Sequence, residues 1–376
     1  MAATAAFVRT APEPVLPAPM LQRGAAAWLR NNLFSSPASS ILTIALAALA
    51  LWLLPGLIAW ATVNAVWSAP DGALCRSRQD GACWAFIAQK LDIFRYGLYP
   101  PDQRWRVDVT ELAGAALIAW LLWPRAPHRA IAVGLFFVVY PLLAFVLLHG
   151  STRLGLPIID TALWGGIFVS LLTALVGIVF SLPLGVLLAL GRRSRLPVIR
   201  LVSVVYIESL RGVPFITVLF MANTMLPLFL PEAWTPDRLL RPLVGTVLFA
   251  AAYLAEEVRG GLQIMPKGQF EGAKALGLSY RQMMGLVILP QALTFVIPGI
   301  VNNFIGLFKD TTLISIVGTL DFLETVQDAF KDPVWSGPTI ADTGYAFAAL
   351  FYFVFCFGMS RYSLAMERRL AAGRRL

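Results

Sequence analysis

Six charged or carboxamide side chains stand inside, or at the edge of, long apolar runs: Glu208, Arg211, Asn302, Asn303, Lys309 and Asp310. Ionisable groups in such surroundings are costly, and they pair with one another or line a polar pathway. Glu208 and Asp310 offer carboxylates that can accept from an ammonium group, and Arg211 offers a guanidinium fork that can hold a carboxylate. Helix breaks at Pro214 and Pro298 would add free backbone ends for the same purpose. A local alternative exists for two of them, because Glu208 and Arg211 are spaced i, i+3 and can pair on one helix face. Bond-making chemistry has no comparable candidates. With His128 and His149 far apart and only three cysteines, no metal cluster can be assembled. HExxH, GxSxG and the phosphate-cradling GxxxxGK[ST] are all absent, so neither a membrane enzyme nor a self-sufficient ATPase is expected.

The elements that must position these groups are membrane helices. Of the 376 residues, 58% are hydrophobic and 14% charged, against about 25% charged in soluble domains. Mean hydropathy is +0.72. Lipid is the natural solvent for such a chain. About eight runs can span or nearly span: 41–67 (interrupted by Pro55-Gly56), 112–123 (short), 130–148, 162–190, 201–230 (broken by Glu208, Arg211 and Pro214), 242–255, 284–308 (with Pro290 and Pro298) and 345–364. The expected class is an all-α polytopic membrane protein.

Net charge is +9, which in a soluble protein would suggest nucleic acid. Here the cations cluster between apolar runs, as Arg125 and Arg129, as Arg192, Arg193, Arg195 and Arg200, and as Arg368, Arg369, Arg374 and Arg375. With eight spans these clusters share one side. The 68–111 loop is balanced and the 309–342 stretch is acidic. The positive-inside rule then puts both termini in the cytoplasm and leaves no role for nucleic acid. Residues 1–38, Ala/Pro-rich with Arg9, Arg23 and Arg30, read as a flexible cytoplasmic tail. They are not a secretory signal, since the apolar run starts too late and runs too long. Cys75 and Cys83 share the 68–111 loop, which faces the oxidising periplasm in this arrangement. They form either a disulfide contributing about 2–3 kcal/mol by loop entropy or two free thiols. Cys356 lies in an apolar run and reads as a packing residue.

One polar stretch, from Glu256 to Gln282, is too long for a simple connection on the cytoplasmic side. Pro266 and Gly268 punctuate it, Gln269 to Leu276 favour a helix, Gly277 suits a helix C-terminus, and Ser279 can cap the next helix. The product is a short helix across the membrane exit, either a docking knob for a soluble partner or an amphipathic connector on lipid headgroups.

This stretch resembles the EAA loop of ABC importer permeases. Glu271, Gly272, Ala273, Gly277, Val287 and then Leu289-Pro290 match its pattern, with Gly272 in place of alanine and Val287 in place of isoleucine. Tyr206-Ile207-Glu208 with Arg211-Gly212 and Pro214, Ala252 to Glu256 with Arg259-Gly260-Gly261, Pro290-Gln291-Ala292, and Lys309-Asp310-Thr311-Thr312-Leu313 resemble successive motifs of the polar amino-acid permeases. Gly81 to Ile87, Tyr99-Pro100 and Arg104-Trp105-Arg106 resemble the longer permease subunits of general L-amino acid uptake systems.

The resemblance implies a type I ABC importer transmembrane core over 158–370 with a coupling loop at 256–286. It also implies three extra N-terminal helices over 39–150. It implies a non-enzymatic inner-membrane subunit that imports L-amino acids, of broad or glutamate/glutamine-like specificity, by alternating access. ATP and magnesium would be bound by a partner ATPase, with no cofactor in this chain. The other expected partners are a second homologous permease, a periplasmic amino-acid-binding protein and membrane lipid. In this frame Glu271, Gly272, Ala273, Gly277, Leu289 and Pro290 couple to the ATPase. Glu208, Arg211, Asn303, Asp310 and Thr311 lie near the substrate path, with Glu208 or Asp310 facing an ammonium. An ion-gradient-driven secondary transporter is the rival reading, and it has no use for the docking element.

Overall fold

The computed structural model describes residues 24–123, 125–231 and 234–372. Arg9, Arg23, Arg374 and Arg375 lie outside the described residues, as does the tail before Gly24. The chain divides into two units.

The smaller unit runs to Ala65 and takes in Asp80–Ala82. It holds α1 (Gly24–Asn32) and α2 (Pro37–Val63). The expected tail to residue 38 is therefore corrected. The Ala-rich segment after Gly24 forms a helix because alanine has the highest helix propensity, which the Ala/Pro composition of the whole tail obscured. Ser36 caps α2, its hydroxyl accepting from Ser39 N–H at 3.2 Å, and Pro37 occupies the first helical turn. Pro55 does not interrupt the run as expected. The helix continues past it and widens to a π turn at Ala59–Val63, a common way to absorb a lost backbone bond.

The larger unit contains α3 (Ala73–Ser77), α4 (Trp84–Tyr96), α5 (Trp105–Leu122), α6 (Arg129–His149) and α7 (Gly166–Arg192). After α8 (Pro197–Arg211) and α9 (Phe215–Phe229) come α10 (Leu240–Ile264) and α11 (Lys267–Ala275). The last are α12 (Tyr280–Val317), α13 (Phe322–Ala329) and α14 (Ile340–Ala372). Among the described residues five helices (α2, α6, α7, α12 and α14) are long and apolar enough to cross a membrane, and α8 with α9, bent by 109°, makes a sixth if counted as one span. α5 and α10 carry three or more charged residues each and fall short of that measure. Seven of the eight expected runs each fall on one of these helices, and the 201–230 run falls on the bent pair α8 and α9. The short 112–123 run gains length by starting at Trp105, inside the polar stretch.

Small residues let α7 and α10 pack backbone to backbone. Ala251, Ala252 and Ala255 are fully buried, and a Cβ at Gly185 would stand 2.8 Å from Leu254 Cβ. The 242–255 run continues as helix to Ile264, so the expected loop 256–286 is shorter. Glu256–Ile264 belongs to α10 and Tyr280 onward to α12. Glutamate, valine and arginine extend a helix after apolarity ends. Pro298 does not break α12 as expected either; it sits inside a continuous helix, whereas Gly212-Pro214 does end α8.

The segment from Val66 to Tyr96, apart from Asp80–Ala82, is fastened to the far end of the sequence. The structure joins Cys75 and Cys83 in a disulfide. Cys83 N–H donates to Thr343 Oγ1 at 2.9 Å. Arg76 Nη1 donates to the carbonyls of Val334 at 3.1 Å and Ser336 at 3.2 Å. Lys90 pairs with Asp332, holding that carboxyl below its usual range. Between these anchors lies an aromatic cluster, with Phe94 6.5 Å from Phe322 and Phe322 4.6 Å from Phe351 between ring centres. The end of α4 meets the start of α7 where Gly97 (φ +64°) and Gly166 (φ +69°) adopt conformations closed to most side chains.

Asp321 stands where these parts converge and is fully buried. Its carboxylate accepts from Leu323 N–H at 3.1 Å and Glu324 N–H at 3.0 Å, capping α13, and from the Tyr352 hydroxyl at 3.5 Å. Burial outweighs these donors and pushes its pKa up from 3.8 to about 7. The folded state therefore holds the proton more tightly than the unfolded chain. That stabilisation is complete below pH 3.8 and is lost as pH rises through about 7. Asp321→Asn keeps the cap and removes the titration, so the melting temperature of the variant should vary less than that of wild type between pH 5 and 8. Identical pH profiles would refute this account.

Candidate functional site

The C-terminal ends of α7, α8 and α10 meet at a carboxylate. Glu256 Oε1 accepts from Arg192 Nη1 at 2.8 Å. Its Oε2 accepts from Arg259 Nε at 2.8 Å and lies 3.7 Å from Arg211 Nη1. Arg192 also reaches Glu208 Oε1 at 2.8 Å. The local Glu208–Arg211 pair is thus not formed. Both residues look outward from α8 to other helices, because charged groups at a helix junction find better partners across it than along one exposed face. Glu256, the most enclosed member, has a side chain 14% exposed.

Immediately beyond lies the short helix that the sequence marks as a candidate docking element. α11 follows Pro266 and ends at Gly277, whose φ of +72° supplies the left-handed turn. Ser279 and Gln282 form a reciprocal capping box at the start of α12. Ala273 is buried beneath Met283 and Met284, while Glu271, Gly272 and Gly277 are exposed. Two contacts set the tilt of α11. Gln291 Nε2 donates to Gln269 Oε1 at 3.1 Å. Arg193 donates to the Leu262 carbonyl at 2.9 Å, with its guanidinium 5.9 Å from the Phe270 ring centre. Leu289 is half-buried in the same apolar cluster, and Pro290 is exposed at the next position. A short helix held at three points and exposed on its outer face can pass a push from outside to α10, α12 and the Glu256 cluster.

Further along α10 a cleft of about 340 Å³ is lined by Phe215, Phe249, Tyr253, Asn302, Asn303 and Asp310, among others. Three rings form an aromatic wall, with Phe215 4.7 Å from Phe249 and Phe249 4.9 Å from Tyr253. Arg211 lies 5.5 Å from the Tyr253 ring centre, at the edge of that wall. Asn303 Nδ2 donates to Glu257 Oε1 at 3.3 Å. Asp310 is half-buried and without an ion-pair partner among the described residues. An apolar hollow with one open carboxylate, carboxamides and a guanidinium nearby suits a small zwitterion.

The structure thus brings Arg211, Asn303 and Asp310 to one cleft or its edge, and keeps two expected residues away. Thr311 is buried, its hydroxyl donating to the Phe308 carbonyl at 2.8 Å, because the tight turn after Asp310 consumes it. Glu208 is not among the lining residues and is held by Arg192. Sequence reading passed over Glu256 and Glu257 as site residues. The signal was present: two adjacent carboxylates follow directly on an Ala-rich apolar run.

Known proteins are similar to this chain in sequence. Residues 181–372 match the family of binding-protein-dependent transport system inner membrane components. The chain is 49% identical over 361 residues to the inner membrane amino-acid ABC transporter permease protein YhdY of Escherichia coli (strain K12), covering 96% of this chain and 97% of that protein. It is 38% identical over 430 residues to the glutamate/glutamine/aspartate/asparagine transport system permease protein BztC of Rhodobacter capsulatus, covering 97% and 98%. The probable glutamine ABC transporter permease protein GlnP of Bacillus subtilis (strain 168) is 30% identical over 212 residues, 55% of this chain but 93% of that protein. These relatives are membrane subunits of transporters rather than enzymes. The chain belongs to the family of inner-membrane components of binding-protein-dependent transport systems.

Proposed function

We propose that this chain is the permease subunit of an ATP-driven importer of L-amino acids. The names of its two full-length relatives favour a broad range that includes glutamate and glutamine. The observation that carries the reading is the exposed helix α11, ended by Gly277 and braced against α10 and α12. Glu271, Gly272, Ala273, Gly277, Leu289 and Pro290 form the coupling element. A separate ATPase binds ATP and magnesium; a periplasmic binding protein delivers the amino acid; a second homologous permease completes the path. Both termini and α11 lie in the cytoplasm, and the 68–111 segment lies in the periplasm. Closure of the ATPase drives α11 inward and switches the cleft from one side to the other. In the cleft Asp310 meets the substrate ammonium, while Arg211 and Asn303 stand near its other end.

The test is uptake of labelled amino acid in cells lacking this chain, complemented with wild type or Gly277→Asp, with membrane levels checked by immunoblot. A Cβ at Gly277 meets nothing within 4 Å, so the variant strains the turn and charges the docking face without a packing clash. Normal insertion with uptake reduced by at least about tenfold, a loss of about 1.4 kcal/mol of coupling, is the expected result. Unchanged uptake, driven by an ion gradient rather than ATP, would make the chain a secondary carrier. In the same assay Asp310→Asn should alter substrate preference; unchanged transport and preference would place the ammonium elsewhere.

A further inference from the structure

A hollow of about 980 Å³ lies between the α7–α8 turn and α11. Among the described residues four cations line it, Arg193, Arg195, Lys274 and Arg281, and no carboxylate does. The neighbouring arginines Arg192, Arg211 and Arg259 are neutralised by Glu208 and Glu256. Arg195, Lys274 and Arg281, by contrast, are exposed and have no ion-pair partner among the described residues. The floor of the hollow is apolar. It continues onto Leu187, Leu196 and Ile199, which are 65%, 60% and 46% exposed. Leu187 belongs to α7, one of the helices long and apolar enough to cross the bilayer.

We infer that this hollow binds one anionic phospholipid. The headgroup phosphate takes the unpaired guanidinium and ammonium groups, where charge-assisted bonds to phosphate oxygens are strong. The acyl chains lie along Leu187, Leu196 and Ile199. Both halves of the ligand are needed to satisfy the site. A free phosphate would leave the apolar floor wet, and a soluble protein subunit would have to bury the side of a membrane helix. The lipid would touch both the α7–α8 turn and α11, so its headgroup charge bears on the tilt of the coupling helix.

The experiment uses the full chain, purified in detergent, delipidated and titrated with phosphatidylglycerol or phosphatidylcholine under native mass spectrometry. Wild type should retain one phosphatidylglycerol in preference to phosphatidylcholine. The double variant Arg195→Gln/Arg281→Gln should lose that preference by about thirtyfold, each of the two cations near an anionic headgroup being worth about 1 kcal/mol. Arg200→Gln, exposed and outside the hollow, should keep it. Millimolar inorganic phosphate should not displace the lipid. Equal retention of the two lipids, displacement by phosphate, or an unchanged preference in the double variant would overturn the proposal. So would loss of ATPase subunit binding in the double variant with lipid retention intact, which would make the hollow a protein interface.

Discussion

Glu256→Gln is expected to cut amino-acid uptake at least about tenfold while the protein still inserts. The carboxylate faces three guanidinium groups from three helices, Arg192 at the end of α7, Arg211 at the end of α8 and Arg259 on its own α10. An amide of the same shape keeps the packing and removes the negative charge. Of the three arginines only Arg192 would then keep a carboxylate partner, Glu208, whose side chain is 55% exposed. Removing one partner from a buried ion cluster costs about 3–5 kcal/mol. Partial exposure of the arginines calls for a discount, to about 2 kcal/mol. The helix ends would splay where the coupling element presses on them. Glu208→Gln removes the exposed carboxylate instead and should cost under about 1 kcal/mol. Uptake and thermal unfolding measured on both variants decide the matter. Equal, small effects would mean that the cluster is a passive surface feature.

Gly166→Ala is expected to be among the most damaging single methyl additions in the larger unit. The residue has φ +69°, which costs a side chain about 1 kcal/mol or more. Its new Cβ would also press into the backbone of Phe94, 2.9 Å from the carbonyl carbon. Backbone on both sides cannot yield as a flexible side chain can. We expect a loss of about 3 kcal/mol or more, enough to deplete the protein from membranes. Gly306→Ala provides the contrast, since a Cβ there meets nothing within 4 Å. If both variants accumulate and melt alike, the close approach of α4 to α7 is not a constraint on folding.

The short helix α11 was legible because its signals are local. Pro266, the Ala/Lys/Glu-rich stretch, Gly277 and Ser279 each act within one turn of where they stand, and each does so in the structure. The positions of the long helices were legible for the same reason. Their ends were not, because apolarity stops before helicity does, as at Glu256 and at Trp105. Pro55 and Pro298 misled in the opposite direction, since surrounding helices can support a proline that would break an isolated one. The Glu256 cluster required knowing that residues 192, 208, 211, 256 and 259 meet, which no spacing along the chain declares. Thr311 and Glu208 were assigned to the path by their place in motifs, but turn geometry and a competing arginine decide where their side chains go.

The bond from Cys83 N–H to Thr343 Oγ1 has a consequence for biosynthesis. Its two halves are 260 residues apart. At about 5–20 residues per second, the disulfide-linked loop is made tens of seconds before the segment that receives it. Until residues 322–347 are made, Phe86 and Phe94 lack the aromatic partners supplied by Phe322, Trp335 and Phe347. The growing chain must shelter that unfinished apolar surface for most of its synthesis. Truncations that stop short of Ile340 should therefore be cleared by quality-control proteases, however completely their earlier helices have inserted.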